Sequence, residues 1–173
     1  MVAASKAHPD LRAYIVVALE TGGRRSELCR LRSADIDMKR RLVTFPRTKN
    51  GETRHVPMTD TVWAFFHARP RALEPSAPGL PVYGDPHSIT QAFDRLVARL
   101  KLTNLTFHDL RHDFASRLAM AGVPLLTIST LLGHKSLTMT MRYAHLSPQH
   151  LRDAMRALEG PAAPAAPGSV VTG

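Results

Sequence analysis

TFHDLRHDFASRLAMAGVPLLTISTLLGHKSLTMTMRY, residues 106–143, alternates helix signals with helix breakers. Thr106 with Asp109 three residues on has the form of a capping box, and Leu110, Phe114, Leu118, Met120 and Ala121 continue an apolar face until Gly122 stops it. Val123 and Pro124 open a second helix with Leu125, Ile128, Leu131 and Leu132 on its apolar side, and Gly133 supplies a left-handed cap. Ser136 starts a third, carrying Leu137, Met139 and Met141, with Arg142 and Tyr143 in its later turns. The stretch reads helix, turn, helix, turn, helix. His108 and Arg111 lie one turn apart on a shared face, and His134 projects from a helix end. These are too many polar groups for packing alone, and their clustering points to an active site.

A tyrosine is a weak nucleophile. Its phenol has a pKa near 10, so at pH 7 roughly one molecule in a thousand is ionised, and attack requires nearby positive charge or a base. A phosphodiester is the electrophile that suits these neighbours, because attack on phosphorus puts negative charge on the non-bridging oxygens. A planar guanidinium meets two such oxygens with parallel hydrogen bonds, which an ammonium cannot do.

Working upstream, Thr21, Gly22, Gly23, Arg24, Arg25, Ser26, Glu27 and Leu28 form a loop entering a helix whose apolar side includes Leu28 and Leu31. Arg24 stands at that helix start, where backbone N–H groups and the dipole favour an anion, and Glu27 one turn later can hold it in place. Leu42 to Phe45 and Thr53 to Val56 read as two short strands joined across Lys49, Asn50 and Gly51. Lys49 therefore rides a hairpin tip, from which a mobile ammonium could protonate a leaving oxygen.

With these residues in hand, the chain resembles the catalytic domain of the tyrosine recombinases, or phage integrase family. Thr21 to Leu28 resembles the family's first arginine motif and Thr48 to Pro57 its hairpin lysine motif. His108 to Arg111 resembles the His-x-x-Arg motif, Leu132 to His134 the Leu-Gly-His motif, and Tyr143 the nucleophile. The likeness runs from about Asp10 to His145, with six catalytic positions filled in order. It implies a cut-and-rejoin reaction on double-stranded DNA that needs no metal and no cofactor. Tyr143 would form a 3′-phosphotyrosine link and free a 5′-hydroxyl, and a second 5′-hydroxyl would reverse the step. Arg24, Arg111 and His134 would bind the pentavalent phosphate, Lys49 would protonate the departing oxygen, His108 would assist proton transfer at the tyrosine, and Glu27 would orient. The resemblance also implies a homo-oligomer, a tetramer on paired sites, with a monomer possible off DNA.

Composition agrees with a nucleic-acid partner. A formal net charge of +9 and a pI near 10.6 give a surface attracted to phosphate, with binding that weakens as salt rises. The chain has 173 residues and is 44% hydrophobic, enough for one domain with a genuine core. Its single cysteine, Cys29, cannot form an intramolecular disulfide and reads as a small core residue on the first-arginine helix. No apolar run approaches membrane-spanning length and no signal peptide is visible near Met1, so a cytoplasmic protein is expected.

The remaining elements are helical. His8, Pro9 and Asp10 precede a helix through Leu19, Thr59 or Asp60 caps one containing Val62, Trp63, Phe65 and Phe66, and Ser88 with Gln91 caps one bearing Phe93, Leu96 and Val97. Residues 69–87, rich in Pro, Gly and Ala, read as a loop. Ser147 and Pro148 announce a last helix with Leu151, Ala154, Met155 and Leu158 on one side, which could dock on its own core or pass to a neighbouring subunit. The fold expected is mainly α with a small antiparallel β-sheet, an α+β catalytic domain over residues 1–159. Residues 160–173 form an Ala/Pro-rich tail with the composition of a disordered segment. Family members usually carry a separate DNA-binding domain before the catalytic one. This chain opens at Met1 nearly at the catalytic domain and is expected to lack it, as either a fragment or an unusually short member, and to bind DNA weakly and with little site preference alone.

Two other functions compete. His108, Asp109 and His112 form a His-Asp-x-x-His pattern that superficially resembles a zinc-hydrolase helix, but Arg111 would set a cation beside the metal and aspartate is shorter than the usual glutamate base. A DNA-binding relative without catalysis is the other, against which the intact set of six residues argues. Taken singly, Arg24 beside Glu27 is an ordinary ion pair, Lys49 an ordinary turn residue and Tyr143 ordinary packing. Their joint order and local contexts favour the catalytic reading.

Overall fold

The computed structural model describes residues 9–46, 53–80, 86–146 and 155. Helix α1 (Pro9–Thr21) is followed by the single turn α2 (Arg25–Leu28), then strands β1 (Ile36–Asp37), β2 (Leu42–Phe45) and β3 (Arg54–Pro57). Helices α3 (Asp60–His67), α4 (Pro86–Arg99), α5 (Asp109–Met120), α6 (Leu125–Leu132) and the short α7 (Thr138–Met141) complete the described α-helices and strands, with 3₁₀ turns at Ser33–Asp35, Pro70–Leu73 and Ala144–Leu146. The expected α+β architecture holds. Among the described residues no helix is long and apolar enough to cross a membrane.

Helix α1 is the centre of the molecule. Leu11, Ala13, Tyr14, Ile15, Val17 and Ala18 are all buried, so apolar residues run round the helix instead of along one stripe. It packs against α5, α2, α3 and α4. The sheet is antiparallel in the order β1-β2-β3, with Val43 opposite Val56 and Phe45 opposite Arg54. Alternation along β3 turns Arg54 and Val56 inward and His55 and Pro57 outward. A second, smaller core gathers Phe114, Ala115 and Ala119 of α5, Ile128 and Leu132 of α6, and Tyr143.

Several local expectations needed revision. The first-arginine helix is only α2, so Leu31 is buried from beyond its end and Cys29 caps it half-buried. The third helix of the motif stretch is α7 alone: Tyr143 follows its end, and Leu137, Met139 and Met141 are 43%, 51% and 52% exposed. Thr138 to Met141 is too short to present an apolar face, and the buried residue in it is Thr140. Thr106 and Asp109 do pair, but Asp109 is the acceptor for both the Thr106 amide and hydroxyl at 2.7 Å, and the N-cap position is His108, whose side chain makes no capping bond. Helix α4 starts at Pro86, two residues before Ser88, and the loop 69–87 contains a 3₁₀ turn, Pro70–Leu73. Thr59 caps α3 as expected, its Oγ1 accepting from the Val62 amide. The last helix and the Ala/Pro-rich tail lie outside the described residues, apart from Met155.

Candidate active site

Arg24 sits at the N-cap of α2 in extended conformation. Glu27 reaches back to it twice: its carboxylate accepts from the Arg24 amide at 2.8 Å and from Nη1 at 2.7 Å. The i,i+3 spacing puts both groups on one side of a single helical turn. Arg24 Nη2 then extends 3.4 Å to the carbonyl of Gly133, linking the first motif to the end of α6.

Behind this pair stands Arg54, which sequence reasoning did not single out. It is buried, donates through Nη2 to Glu27 Oε2 and through Nη1 to the Leu131 carbonyl at 2.7 Å, and lies 4.2 Å from the centroid of Phe45 across the strand pair. The signal that could have found it was the strand alternation, which gives Arg54 the inward phase of Val56. Burial works against the Glu27 charge, but Arg54 and Arg24 outweigh it and hold the carboxyl below its ordinary range.

Gly22 ends α1 in the left-handed region at φ 62°. A Cβ there would meet Phe114 Cδ1 at 2.6 Å, so the residue allows α1 and α5 to close. Its carbonyl accepts from Arg111 Nη1 at 2.7 Å, and the Leu132 carbonyl accepts from Nη2 at 2.6 Å. Arg111 is thus buried and braced between the ends of α1 and α6. Burial, then Arg24 and Arg54, push its pKa down to about 9, and it remains a cation at neutral pH.

Gly133 caps α6 at φ 63°, the left-handed cap the sequence predicts, and the His134 amide bonds to the Ser129 carbonyl at 3.0 Å. His134 Nδ1 lies 2.8 Å from Thr140 Oγ1. Burial, followed by Arg111, Arg24 and Arg54, pushes this imidazole down to about 4, so at neutral pH it is a polar neutral group and not a third cation. His108, at the N-cap of α5, is likewise lowered by burial, His112 and Arg111. Its ring stands edge-on to His112 with centroids 4.8 Å apart.

Tyr143 is 5% exposed, its ring seated in the smaller core. The phenol oxygen lies 2.6 Å from Nδ1 of His112. Burial raises the phenol pKa, an effect that Arg142 and Arg111 oppose without reversing.

A cavity of about 470 Å³ has Arg24, His108, Arg111, His112, His134 and Tyr143 in its wall. A second, of about 360 Å³, shares Arg24, His108 and Arg111 with it. Five of the six sequence-selected residues therefore come together from four parts of the chain, with Glu27 bracing the first. Lys49 lies outside the described residues. The histidine pair of the zinc alternative fits metal poorly: Asp109 is committed to Thr106, Arg111 is adjacent, and among the described residues no third ligand joins the two rings.

A mostly helical domain with a three-stranded antiparallel sheet is also the architecture of solved tyrosine recombinase catalytic domains. The catalytic domain of bacteriophage HP1 integrase matches it with a TM-score of 0.71 at 31% identity, covering 94% of this chain and 92% of that one. The Tn1549 transposon integrase, solved in complex with transposon right end DNA, matches with a TM-score of 0.69 at 26% identity over 89% of this chain and 60% of that one. The integrase of Escherichia phage 186 is 34% identical over 150 residues, 86% of this chain and 41% of that protein. The chain belongs to the phage integrase family, whose profile matches residues 1–150. It spans about two fifths of the length of that phage 186 relative.

Proposed function

We propose that this chain is the catalytic part of a site-specific DNA recombinase that cuts and rejoins strands through a covalent 3′-phosphotyrosine link. The observation that carries the reading is a cavity whose wall combines Tyr143 with Arg24, Arg111 and His134. A guanidinium has five N–H donors. Among the described residues Arg24 uses two, on Glu27 and Gly133, and Arg111 two, on Gly22 and Leu132, and the N–H groups not so used can serve the non-bridging oxygens of a phosphate. With Nδ1 accepting from Thr140, His134 presents Nε2–H to the same phosphate.

In the reaction Tyr143 Oη bonds to phosphorus as the bond from phosphorus to the 5′-oxygen breaks, and that oxygen takes a proton, the role the resemblance gives to Lys49. Attack by a second 5′-hydroxyl reverses the sequence, and the bond energy is kept in the covalent link. Exchange between two duplexes cuts four strands, so four copies of the chain acting on paired sites belong to the same proposal. Support comes from the relatives' names as integrases, the DNA held by the Tn1549 enzyme and the net charge of +9.

The test is incubation with a pool of nicked duplexes randomised around the nick, followed by denaturing gel and peptide mapping. A DNA adduct at Tyr143, lost in Tyr143→Phe while DNA binding survives, is expected. Cleavage without an adduct, abolished by EDTA, would replace the tyrosine mechanism with a metal-dependent one.

A further inference from the structure

His112 follows Arg111 directly on α5 and falls outside the six positions that the resemblance picks out. It nevertheless lies at hydrogen-bond range of the proposed nucleophile, 2.6 Å from its Nδ1 to Tyr143 Oη, where Arg142, a cation that cannot accept a proton, is the phenol's other side-chain partner. We infer that His112 is the general base for Tyr143, taking the phenolic proton as Oη attacks phosphorus, an assignment that rests on the proposed strand-transfer function.

The nucleophile needs a base because its surroundings do not ionise it. Burial raises the phenol above its ordinary value in spite of Arg142 and Arg111, so Tyr143 is protonated at neutral pH and must lose that proton during attack. The seating of its ring among Phe114, Ala115, Ile128 and Leu132 fixes where the hydroxyl lies, and His112 meets it there. Proximity at hydrogen-bond range is the geometric requirement for a base.

His112 also has the protonation state the task requires. The groups around it are His108, Asp109 and Arg111 on its own helix, His134 after α6, and Arg142 and Tyr143 after α7. Burial, then Arg142 and Arg111, lower its pKa, and Asp109 is the one group pulling the other way. The ring is therefore neutral at pH 7. With its single proton on Nε2, it accepts from the phenol at Nδ1. His134 is less available, since its Nδ1 is engaged with Thr140, and His108, to which the resemblance gives the proton role at the tyrosine, stands behind His112 with its ring edge-on at 4.8 Å, so the direct imidazole contact to the phenol is His112's.

The proton balance is complete. In cleavage the Oη–H proton moves to His112 Nδ1, the Oη–P bond forms, and the bond to the 5′-oxygen breaks, that oxygen being protonated by a separate acid. In rejoining, the incoming 5′-hydroxyl gives up its proton to that acid's conjugate base, and the imidazolium returns its own to the departing phenolate.

The test uses the whole 173-residue chain and nicked duplexes, randomised around the nick, in which sulfur replaces the 5′-bridging oxygen of the scissile phosphate. A thiolate departs without protonation, so adduct formation reports the attacking side alone. His112→Asn keeps an acceptor beside the phenol but cannot take its proton. We expect its adduct rate at pH 7 to fall about 10²-fold or more, as loss of a general base does. The wild-type rise in rate with pH, on the acidic side of the ordinary imidazole range, should vanish in the variant while DNA binding and the melting temperature hold. A wild-type rate and pH profile in His112→Asn would overturn the assignment and leave strand transfer standing. No Tyr143 adduct in the wild-type chain would overturn both. Should His112→Asn fail to fold, His112→Ala with added imidazole decides: recovery of the rate upholds the base, and its absence removes it.

Discussion

Arg54 of strand β3 donates to Glu27 of helix α2, and the two side chains, 5% and 8% exposed, bury a complete ion pair behind the proposed phosphate site. The same guanidinium reaches the Leu131 carbonyl, two residues before Gly133 and three before His134. One side chain thus ties the hairpin to both the first-arginine turn and the histidine loop.

Removing Arg54 strands the Glu27 carboxylate in a dry environment with Arg24 as its remaining ion partner among the described residues. Arg54→Met is expected to lower the unfolding free energy by about 3–5 kcal/mol, the usual cost of breaking a buried pair from one side. Arg54→Lys should recover part of this, because one ammonium cannot span Glu27 and Leu131 together. Urea denaturation of the three chains measures both differences.

Glu27 touches both Arg24 and Arg54, so Glu27→Gln, which leaves the buried Arg54 guanidinium without its carboxylate, should lower the melting temperature and, in the molecules that stay folded, slow covalent adduct formation. A displaced guanidinium costs about 10²-fold by loss of alignment. Single-turnover cleavage at saturating DNA reads this directly, and an unchanged rate would show that Arg24 needs no brace.

His134, lowered from 6.5 to about 4, binds its proton less readily when folded than when unfolded. Below pH 6.5 the unfolded chain takes up a proton that the folded chain refuses, so stability falls progressively as pH drops from 6.5 towards 4. His108 and His112, lowered in the same direction, add to the loss. Glu27, held below 4.5, contributes only at more acid pH. Melting temperatures at constant ionic strength should decline across this window, with a shallower decline in His134→Asn.

Gly133 combines a φ of 63° with Arg54 Cδ only 2.8 Å from where a Cβ would stand. Gly133→Ala therefore imposes backbone strain of about 1–3 kcal/mol and displaces Arg54 at the same moment. The expected signature is a fall in melting temperature together with slower adduct formation at Tyr143. Retention of both would mean that the Arg54 side chain can move aside without consequence.

Much of the motif stretch was legible because its signals are short-range. Gly122 and Gly133 stop helices where left-handed residues are required, Pro124 opens one, and Arg24 with Glu27 is an interaction within one turn. Each depends on backbone dihedrals and neighbours three or four residues away, which the order of residues specifies. The α7 reading failed because Leu137, Met139 and Met141 suggest an apolar face that folding leaves exposed.

The chain order by itself determined most of the helix positions, the hairpin strands and the candidate residues for meeting a phosphate. Only the tertiary structure decided that Arg54 is buried against Glu27, that Tyr143 meets His112 and that His134 is neutral. Those outcomes come from desolvation and Coulomb forces among groups as far apart in sequence as Arg24 and His134, and such forces depend on distances through space that exist only once the helices have packed.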